Sequence, residues 1–253
     1  MYLPRIIACL DVRRGRVVKG VNFRGLKELG DAVDLAGAYA RDGADELVWL
    51  DIVATIDDRE LAVDLIQKAR ARVDIPMTVG GGIRTLADVK ALLEAGADKV
   101  SINSQALAQP TFIAEVARRW GSQCVVVAID AKREGDHWQV YSHGGRKRTR
   151  WGLVDWLVRA QAEGCGEFLL TSMDADGTRH GYDLAMLNEA RRFIARPLIA
   201  SGGAGTVAHL QAAMKAGHQA VLLASILHQG QIGVAEIKQQ LQQAGVMVRW
   251  PIL

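Results

Sequence analysis

The sequence is poor in cysteine, has no long hydrophobic run and concentrates neither sign of charge. Its three cysteines are odd in number, stand in or beside apolar runs and form no Cys-x-x-Cys pair, so we expect reduced, buried thiols and no metal site. No apolar stretch reaches the roughly 18 residues of a membrane helix, and residues 1–5 lack the pattern of a signal peptide. The sequence therefore predicts a cytoplasmic protein that does not enter the membrane.

The charged residues are dispersed and nearly balanced. The 253 residues include 31 Lys and Arg against 28 Asp and Glu, a formal net charge of +3. One basic cluster, Arg146–Arg148 with Arg150, is predicted to be a solvated loop that can attract an anionic substrate if it lies near an active-site mouth. Because no basic stripe alternates with aromatic residues, we expect no nucleic-acid partner.

Short apolar runs alternate with amphipathic stretches along the whole chain. Eight runs recur, at residues 6–10, 47–50, 77–79, 100–102, 125–129, 168–170, 198–200 and 220–223. Between several of them apolar residues recur three and four positions apart, as in helices packed on a sheet, at 86–95, 112–120, 153–162, 184–193 and 207–215. This alternation indicates parallel βα units, and the length suits the about 250 residues of a (β/α)8 barrel. Without a visible linker, residues 1–253 are predicted to be a single TIM barrel domain of the α/β class.

An internal repeat adds a symmetry to this barrel. Residues 73–107 align without gaps on residues 194–228, with identities at Pro76/Pro197, Gly81/Gly202, Gly82/Gly203, Thr85/Thr206, Ala87/Ala208, Gly96/Gly217 and Ser104/Ser225. The offset is close to half the chain, which predicts two half-barrels related by a two-fold pseudo-symmetry. The same symmetry sets Asp11, after the first run, against Asp130, after the fifth.

The two symmetric aspartates are the candidate catalytic groups. In a TIM barrel the active site lies at the C-terminal ends of the strands, where Asp11 and Asp130 are predicted to project over one mouth from opposite sides. That arrangement suits one proton donor and one proton acceptor acting on a substrate held across the barrel. The alternative is that each caps the following loop or helix, which is less favoured for a symmetric pair. Asp51 also ends a predicted strand, and there capping and chemistry are about equally favoured.

Two glycine-rich segments predict phosphate sites. Gly80–Gly82 and Ser201–Gly205 each follow a strand and precede a helix, where backbone N–H groups and the helix dipole favour an anion. The next strand in each half ends in a serine, and two tight turns are the alternative reading. The predicted phosphate contacts in these two cradles are Gly82, Asn103, Ser104, Gly203, Ala224 and Ser225.

The polar segment Thr171–Thr178 also ends a predicted strand. It resembles a calcium-binding loop only superficially, because the downstream oxygen ligands are missing, and backbone contact of Asp176 and Gly177 with a phosphate is the favoured interpretation. His228 lies near the second cradle without an evident partner, so solvation or helix capping is favoured over catalysis.

Several strings closely resemble one enzyme family, the cyclase subunit of imidazole glycerol phosphate synthase in histidine biosynthesis. They extend over almost the whole chain in order and include residues 5–12 (RIIACLDV), 16–20 (RVVKG), 97–104 (ADKVSINS), 128–133 (AIDAKR), 174–178 (DADGT), 181–183 (GYD) and 199–205 (IASGGAG). The resemblance implies that a partner glutaminase releases ammonia, which crosses the barrel to reach phosphoribulosyl-formimino-aminoimidazole carboxamide ribotide. The products would be imidazole glycerol phosphate and aminoimidazole carboxamide ribotide, with no cofactor.

The resemblance also implies roles for particular residues. Asp11 and Asp130 become the acid/base pair, and Lys19 helps to hold a phosphate of the bis-phosphate substrate. A channel for ammonia would be lined by side chains such as those of Val48, Thr78 and Ser101. Asp98 matches a position at the glutaminase interface. Four charged residues at predicted strand starts match the family's ammonia gate: Arg5, Glu46, Lys99 and Glu167. On sequence alone, stabilising ion pairs explain these four residues equally well.

Three departures from the family pattern and two rival functions stay open at this stage. Val53–Thr55 lacks one usual hydroxyl, Arg150–Trp151 replaces a glycine in the loop after the fifth strand, and Leu223 replaces a small residue that would crowd the barrel if it pointed inward. The nearest rival is the related isomerase of the same pathway, which shares the half-barrels and phosphate sites but takes no ammonia. The other is a non-catalytic paralogue that binds a glutaminase.

Overall fold

The structure, a computed structural model, describes residues 3–21, 24–52, 59–228, 230 and 232–250. The sequence departure at Val53–Thr55 lies outside these residues. The strands are β1 (Arg5–Arg13), β2 (Arg16–Val21), β3 (Arg24–Asp31), β4 (Glu46–Asp51), β5 (Met77–Gly80), β6 (Lys99–Ile102), β7 (Val125–Glu134), β8 (His137–Ser142), β9 (Lys147–Gly152), β10 (Glu167–Ser172), β11 (Leu198–Ser201) and β12 (Ala220–Leu223).

The helices follow the strands in alternation. They are α1 (Ala32–Arg41), α2 (Arg59–Arg70), α3 (Leu86–Glu94), α4 (Ser104–Ala108), α5 (Thr111–Trp120), α6 (Leu153–Ala162), α7 (Leu184–Arg191), α8 (Val207–Lys215), α9 (Ser225–His228) and α10 (Val234–Gln243), with a 3-10 turn at Ser122–Cys124. None of the helices within the described ranges is both long and apolar enough to cross a membrane.

Eight parallel strands close into a barrel. Their order around the ring is β1, β4, β5, β6, β7, β10, β11 and β12, and β12 pairs back onto β1. Each of the eight apolar runs in the sequence lies in one of these strands, which confirms the predicted (β/α)8 fold. The five predicted amphipathic stretches are helices α3, α5, α6, α7 and α8.

The elements of the two half-barrels recur at a constant spacing along the sequence. β5, α3 and β6 in the first half recur as β11, α8 and β12 in the second, with every boundary displaced by 121 residues. The first strand of each half also leads into an antiparallel hairpin, β2–β3 after β1 and β8–β9 after β7. The structure therefore confirms the two-fold pseudo-symmetry and adds paired hairpins that the sequence did not predict.

The second hairpin partly corrects the prediction of a solvated loop at Arg146–Arg148 and Arg150. Arg146 lies in the turn before β9, whereas Lys147, Arg148 and Arg150 lie on β9, and all four are exposed. Arg148 forms a 2.9 Å ion pair with Glu134 of β7, which is separated from β9 by β8 in the sheet. A hairpin that projects from a barrel has water on much of its surface, so its strands lack the apolar runs that reveal the barrel strands.

Apolar side chains pack in two separate layers. The larger lies between the strands and the helices, and the smaller fills the barrel interior with Ile7, Cys9, Val48, Val126, Leu169, Ile199, Ala220 and Leu222. Leu223 belongs to the outer layer, because neighbouring residues of a strand point to opposite faces. The concern that Leu223 crowds the barrel interior is therefore wrong; Leu222 is the residue that points inward.

The pseudo-symmetry supplies a matched test of helix capping. Thr85 caps α3 in a reciprocal capping box, since its side chain accepts from the Asp88 N–H and the Asp88 carboxylate accepts from the Thr85 N–H. Thr206, its counterpart before α8, makes no side-chain cap hydrogen bond. We expect Thr85→Ala to lower the free energy of unfolding by about 1 kcal/mol and Thr206→Ala by clearly less, measured in urea. Equal losses would show that the box contributes nothing.

Candidate active site

One cavity opens at the C-terminal ends of the barrel strands. It gathers eight of the predicted site residues, Asp11, Lys19, Asp130, Asp176, Gly177, Gly203, Ala224 and Ser225. Gly82, Asn103 and Ser104 do not line this cavity and lie at the ends of β5 and β6. The barrel topology brings these distant residues together because all parallel strands end at one face.

A lysine on the first hairpin reaches back over the mouth. Lys19 lies on β2, and its Nζ donates to Asp11 Oδ2 at 3.0 Å and to Asp176 Oδ1 at 3.5 Å. Its burial lowers the pKa of Lys19, but the charges of Asp11 and Asp176 outweigh this and hold the pKa well above its usual value. Lys19 is therefore a fixed cation inside the cavity.

Asp130 stands opposite Asp11 in a different environment. Its Oδ2 accepts a 3.0 Å hydrogen bond from Asn103 Nδ2, a neutral donor. Burial, followed by the negative charge of Asp176, raises the pKa of Asp130 to about 7 against the lowering effect of the Asn103 bond. A carboxyl group whose pKa is raised into this range is suited to acid/base exchange near neutral pH.

The second glycine cradle is tightly built around backbone atoms. Gly203 has a φ of 102°, and a Cβ there would lie 1.9 Å from the Gly181 carbonyl oxygen, so only glycine fits. Gly181 in turn donates its N–H to the Gly203 carbonyl at 2.7 Å. Helix α9 begins beside this cradle at Ser225. Exposed backbone N–H groups in such a loop can bind an anion.

The first cradle has the same design at its own strand ends. Gly81 has a φ of 103°, and a Cβ there would lie 2.0 Å from the Asp51 carbonyl oxygen. Helix α4 begins at Ser104, whose Oγ accepts from the His143 N–H at 3.0 Å. His143 follows β8, so the second hairpin is tied to this cradle through Ser104.

The opposite end of the barrel carries a closed ring of ion pairs. Arg5, Glu46, Lys99 and Glu167 are the first residues of β1, β4, β6 and β10. Arg5 pairs with Glu46 at 2.7 Å and also with Glu167, while Lys99 reaches Glu46 at 3.2 Å and Glu167 at 2.8 Å. Although burial raises the pKa of Glu167, Arg5 and Lys99 hold it below its ordinary value. Glu167 is thus kept ionised between the two cations, and Glu46 contacts the same pair.

Comparisons of the sequence with known proteins identify the family of this chain. A family model described as "Histidine biosynthesis protein" matches residues 5–233. The chain is 52% identical to the imidazole glycerol phosphate synthase subunit HisF of Streptococcus sanguinis (strain SK36), over 98% of this chain and 100% of that protein. It is 50% identical to the same subunit of Myxococcus xanthus (strain DK1622), over 98% of this chain and 99% of that protein. The chain belongs to this histidine biosynthesis family. The resemblance found in the sequence is confirmed.

The family's interface position, Asp98, has a structural role in this chain. Its Oδ2 accepts from the Met77 N–H at 2.7 Å and from Arg70 Nη1 at 3.2 Å, which ties the start of β5 to the end of α2. The side chain is 49% exposed beside Lys99 of the ring. An interface role for Asp98 stays a prediction.

The structure corrects the interpretation of His228 as solvated or as a helix cap. Its Nδ1 and the hydroxyl of Tyr39 on α1 are 2.7 Å apart, and its Nε2 is buried. Burial lowers the pKa of His228 to about 4, so the ring is neutral at physiological pH. The pair connects α9, beside the second phosphate cradle, to α1. No signal in the sequence relates two residues 189 positions apart.

The bulky pair Arg150–Trp151 lies on β9 and packs towards α6. Arg150 lies over the Trp151 ring at 4.8 Å, and Trp151 packs against Trp156 of α6 with the ring centres 5.3 Å apart. Neither residue lines the cavity. In this conformation the pair does not occupy a phosphate cradle.

Sequence reasoning missed the place of the Asp176 carboxylate, which faces Lys19 in the cavity. Thr171 and Ser201 lie in the two predicted strand-end segments Thr171–Thr178 and Ser201–Gly205, but neither was predicted to have a role, and both line the cavity. They are neighbours in register on β10 and β11, and their position at strand ends is the signal that identifies them.

Proposed function

We propose that this chain is the cyclase subunit of imidazole glycerol phosphate synthase, a lyase that uses ammonia. It would convert phosphoribulosyl-formimino-aminoimidazole carboxamide ribotide to imidazole glycerol phosphate and aminoimidazole carboxamide ribotide. The observation that carries the proposal is the pairing of Asp11 and Asp130 in one cavity flanked by a lysine and a glycine cradle. The identity to the HisF subunits over nearly the full length supports it.

The two aspartates are suited to opposite proton transfers. Asp11 contacts the Lys19 ammonium at 3.0 Å, and it is the proposed acceptor of protons from the attacking nitrogen. Asp130 contacts the neutral amide of Asn103, and its pKa is raised to about 7. It is the proposed donor to the amine that leaves as aminoimidazole carboxamide ribotide. Two carboxyl groups with environments that differ in this way can act as base and acid in one reaction.

The two cradles are proposed to hold the two phosphates of the substrate. One would contact Gly82, Asn103 and Ser104, and the other Gly177, Gly203, Ala224 and Ser225, with Lys19 adding a cation. Gly81 and Gly203 support this because their positive φ lets the chain turn tightly after each strand, a backbone form whose N–H groups can bind an anion. Substrate fixed at both ends would lie across the mouth between the two aspartates.

The barrel interior is proposed to carry ammonia from the ring to the mouth. Ring residues Arg5, Glu46, Lys99 and Glu167 lie at one end, and the interior above them contains apolar side chains such as Val48. Thr78 of β5 and Ser101 of β6 are also buried, 1% and 4% exposed. An enclosed path keeps ammonia from bulk water, where it would be protonated.

The proposed partner is a glutaminase subunit docked at the ring end. The relatives are named as subunits of a synthase, which supports a complex. Asp98 lies beside the ring with half of its side chain exposed, in a position to meet a partner. We further propose that residues 1–253 act as one domain in the cytoplasm, where buried free thiols such as Cys9 and Cys165 stay reduced.

Turnover without the partner tests this proposal. The purified chain is mixed with the bis-phosphate ribotide and 15N-ammonium salt at alkaline pH, and the products are identified by mass spectrometry. We expect one heavy nitrogen in imidazole glycerol phosphate. Isomerised substrate without added nitrogen would show the isomerase instead. Substrate binding with no reaction would point to a non-catalytic partner of a glutaminase.

A further inference from the structure

The side chain of Asp176 occupies the cavity without a part in the chemistry described so far. It lies in the turn between β10 and α7, and its carboxylate is 12% exposed. Oδ1 is 3.5 Å from Lys19 Nζ, the same ammonium that contacts Asp11 at 3.0 Å. A carboxylate repels a phosphate, so this side chain is not a phosphate ligand, whatever its backbone contacts.

The cavity holds three carboxyl groups and one ammonium. Asp11 and Asp176 share Lys19, whereas Asp130 contacts the Asn103 amide. Acidic groups that lie close together in a buried space do not all ionise, so one proton is retained among them. Asp130 has no contact with the ammonium, so its protonation costs the least free energy of the three.

We propose that Asp176 is a positioning residue that holds the Lys19 ammonium at the mouth of the barrel and keeps the proton on Asp130. When a phosphate enters, Lys19 exchanges Asp176 for the phosphate oxygens. The importance of Asp176 for catalysis rests on the proposed function. Its contact with Lys19 and its influence on the Asp130 proton do not require the substrate.

Among the described residues, the charged side chains that share the cavity with Asp130 are those of Asp11 on β1, Lys19 on β2 and Asp176 in the turn after β10. Its neighbour in register on β8 is Tyr141, whose hydroxyl donates to Glu134 at 2.7 Å. Asp176 is the charge that contributes most to the raised pKa of Asp130, although its own carboxylate contacts Lys19.

The proton on Asp130 can be followed directly in the empty full-length chain by 13C carboxyl NMR. Removing a like charge lowers a carboxyl pKa, so Asp176→Asn is expected to move the Asp130 titration midpoint down by about one pH unit. Asp176→Glu, which keeps the charge, is expected to leave it near the wild-type value. The matched control is Asp174→Asn in the same turn, whose exposed carboxylate accepts from the Arg133 N–H at 2.8 Å. An unmoved Asp130 midpoint in Asp176→Asn overturns the proposal.

The hold on Lys19 is tested with inorganic phosphate in a calorimeter. In Asp176→Asn, Lys19 loses one of the two carboxylates that compete with the anion and keeps Asp11, so the variant is expected to bind phosphate roughly tenfold more tightly, the value of one charged hydrogen bond. Weaker binding with unchanged thermal unfolding would make Asp176 a ligand of phosphate and refute the proposal. If Asp176→Asn does not fold, Asp176→Ser carries both measurements. Neither one needs turnover, so a failed cyclase assay would refute the proposed function and leave this inference standing.

Discussion

Replacing Asp130 by Asn is expected to lower ammonium-driven turnover by about 1,000-fold, within the range that a general acid contributes. Asn has the same shape and can still meet Asn103, but it has no proton to give near pH 7, where the pKa of Asp130 lies. The substrate's two phosphate cradles are untouched by the change, so KM should stay close to the wild-type value. Steady-state kinetics with ammonium salt measure both parameters.

Asp136→Asn is the matched control for this substitution. Asp136 lies just beyond the end of β7, the strand that carries Asp130, and its side chain is fully exposed. Its removal should leave turnover unchanged. Asp130→Asn should also still bind a glutaminase subunit, because the ring lies at the other end of the barrel. Full activity in Asp130→Asn would exclude the acid role and favour a protein that acts only by binding.

The barrel could be predicted from sequence because each of its strands is buried on both faces. A strand such as Val125–Ile129 is a continuous apolar run. The hairpins after β1 and β7 escaped prediction because strands such as β9 (KRTRWG) are largely polar and contain no apolar run. Trp138 and Val140 are buried on β8, yet the alternation is too short to separate from a loop.

The residues of the candidate site likewise fall into those that the sequence predicted and those that it did not. Asp11, Asp130 and the glycine cradles were found because they repeat between the halves and end recognisable strands. Asp176 and the Tyr39–His228 pair depend on side chains that meet only after the barrel closes. Lys19 was assigned by family resemblance, and its contact with two carboxylates is a property of the folded hairpin.

The inward position of Leu222 shows that the register of one strand decides which side chains point into the barrel. A shift by one residue exchanges every inward and outward side chain, so the sequence alone did not decide whether Leu222 or Leu223 filled the barrel. The pairing of Ala8 with Leu223 and of Ile7 with Leu222 sets that choice. Ile7 and Leu222 then share the interior, on the face of the strands that leads to Asp11.

Replacing Arg5 by Met is expected to lower the free energy of unfolding by about 3 kcal/mol at pH 7, because it leaves two buried carboxylates with a single cation. Glu46 and Glu167 are 10% and 6% exposed, and Lys99 alone would then serve both. Met keeps most of the length of the side chain, so lost packing contributes little. Urea unfolding measures the difference, and Arg72→Met, which removes an exposed pair with Asp34, should cost less than about 1 kcal/mol.

The pH dependence separates lost charge from lost packing in Arg5→Met. In the wild type the pKa of Glu167 is lowered on folding, so its contribution is present above its ordinary pKa and disappears as the pH falls through the lowered value. In the variant, burial without Arg5 raises the pKa of Glu167, and stability is lost as the pH rises through that value. The difference between the two proteins should therefore shrink towards about pH 4. A difference that does not change with pH would attribute the loss to packing and leave the ring without an electrostatic role.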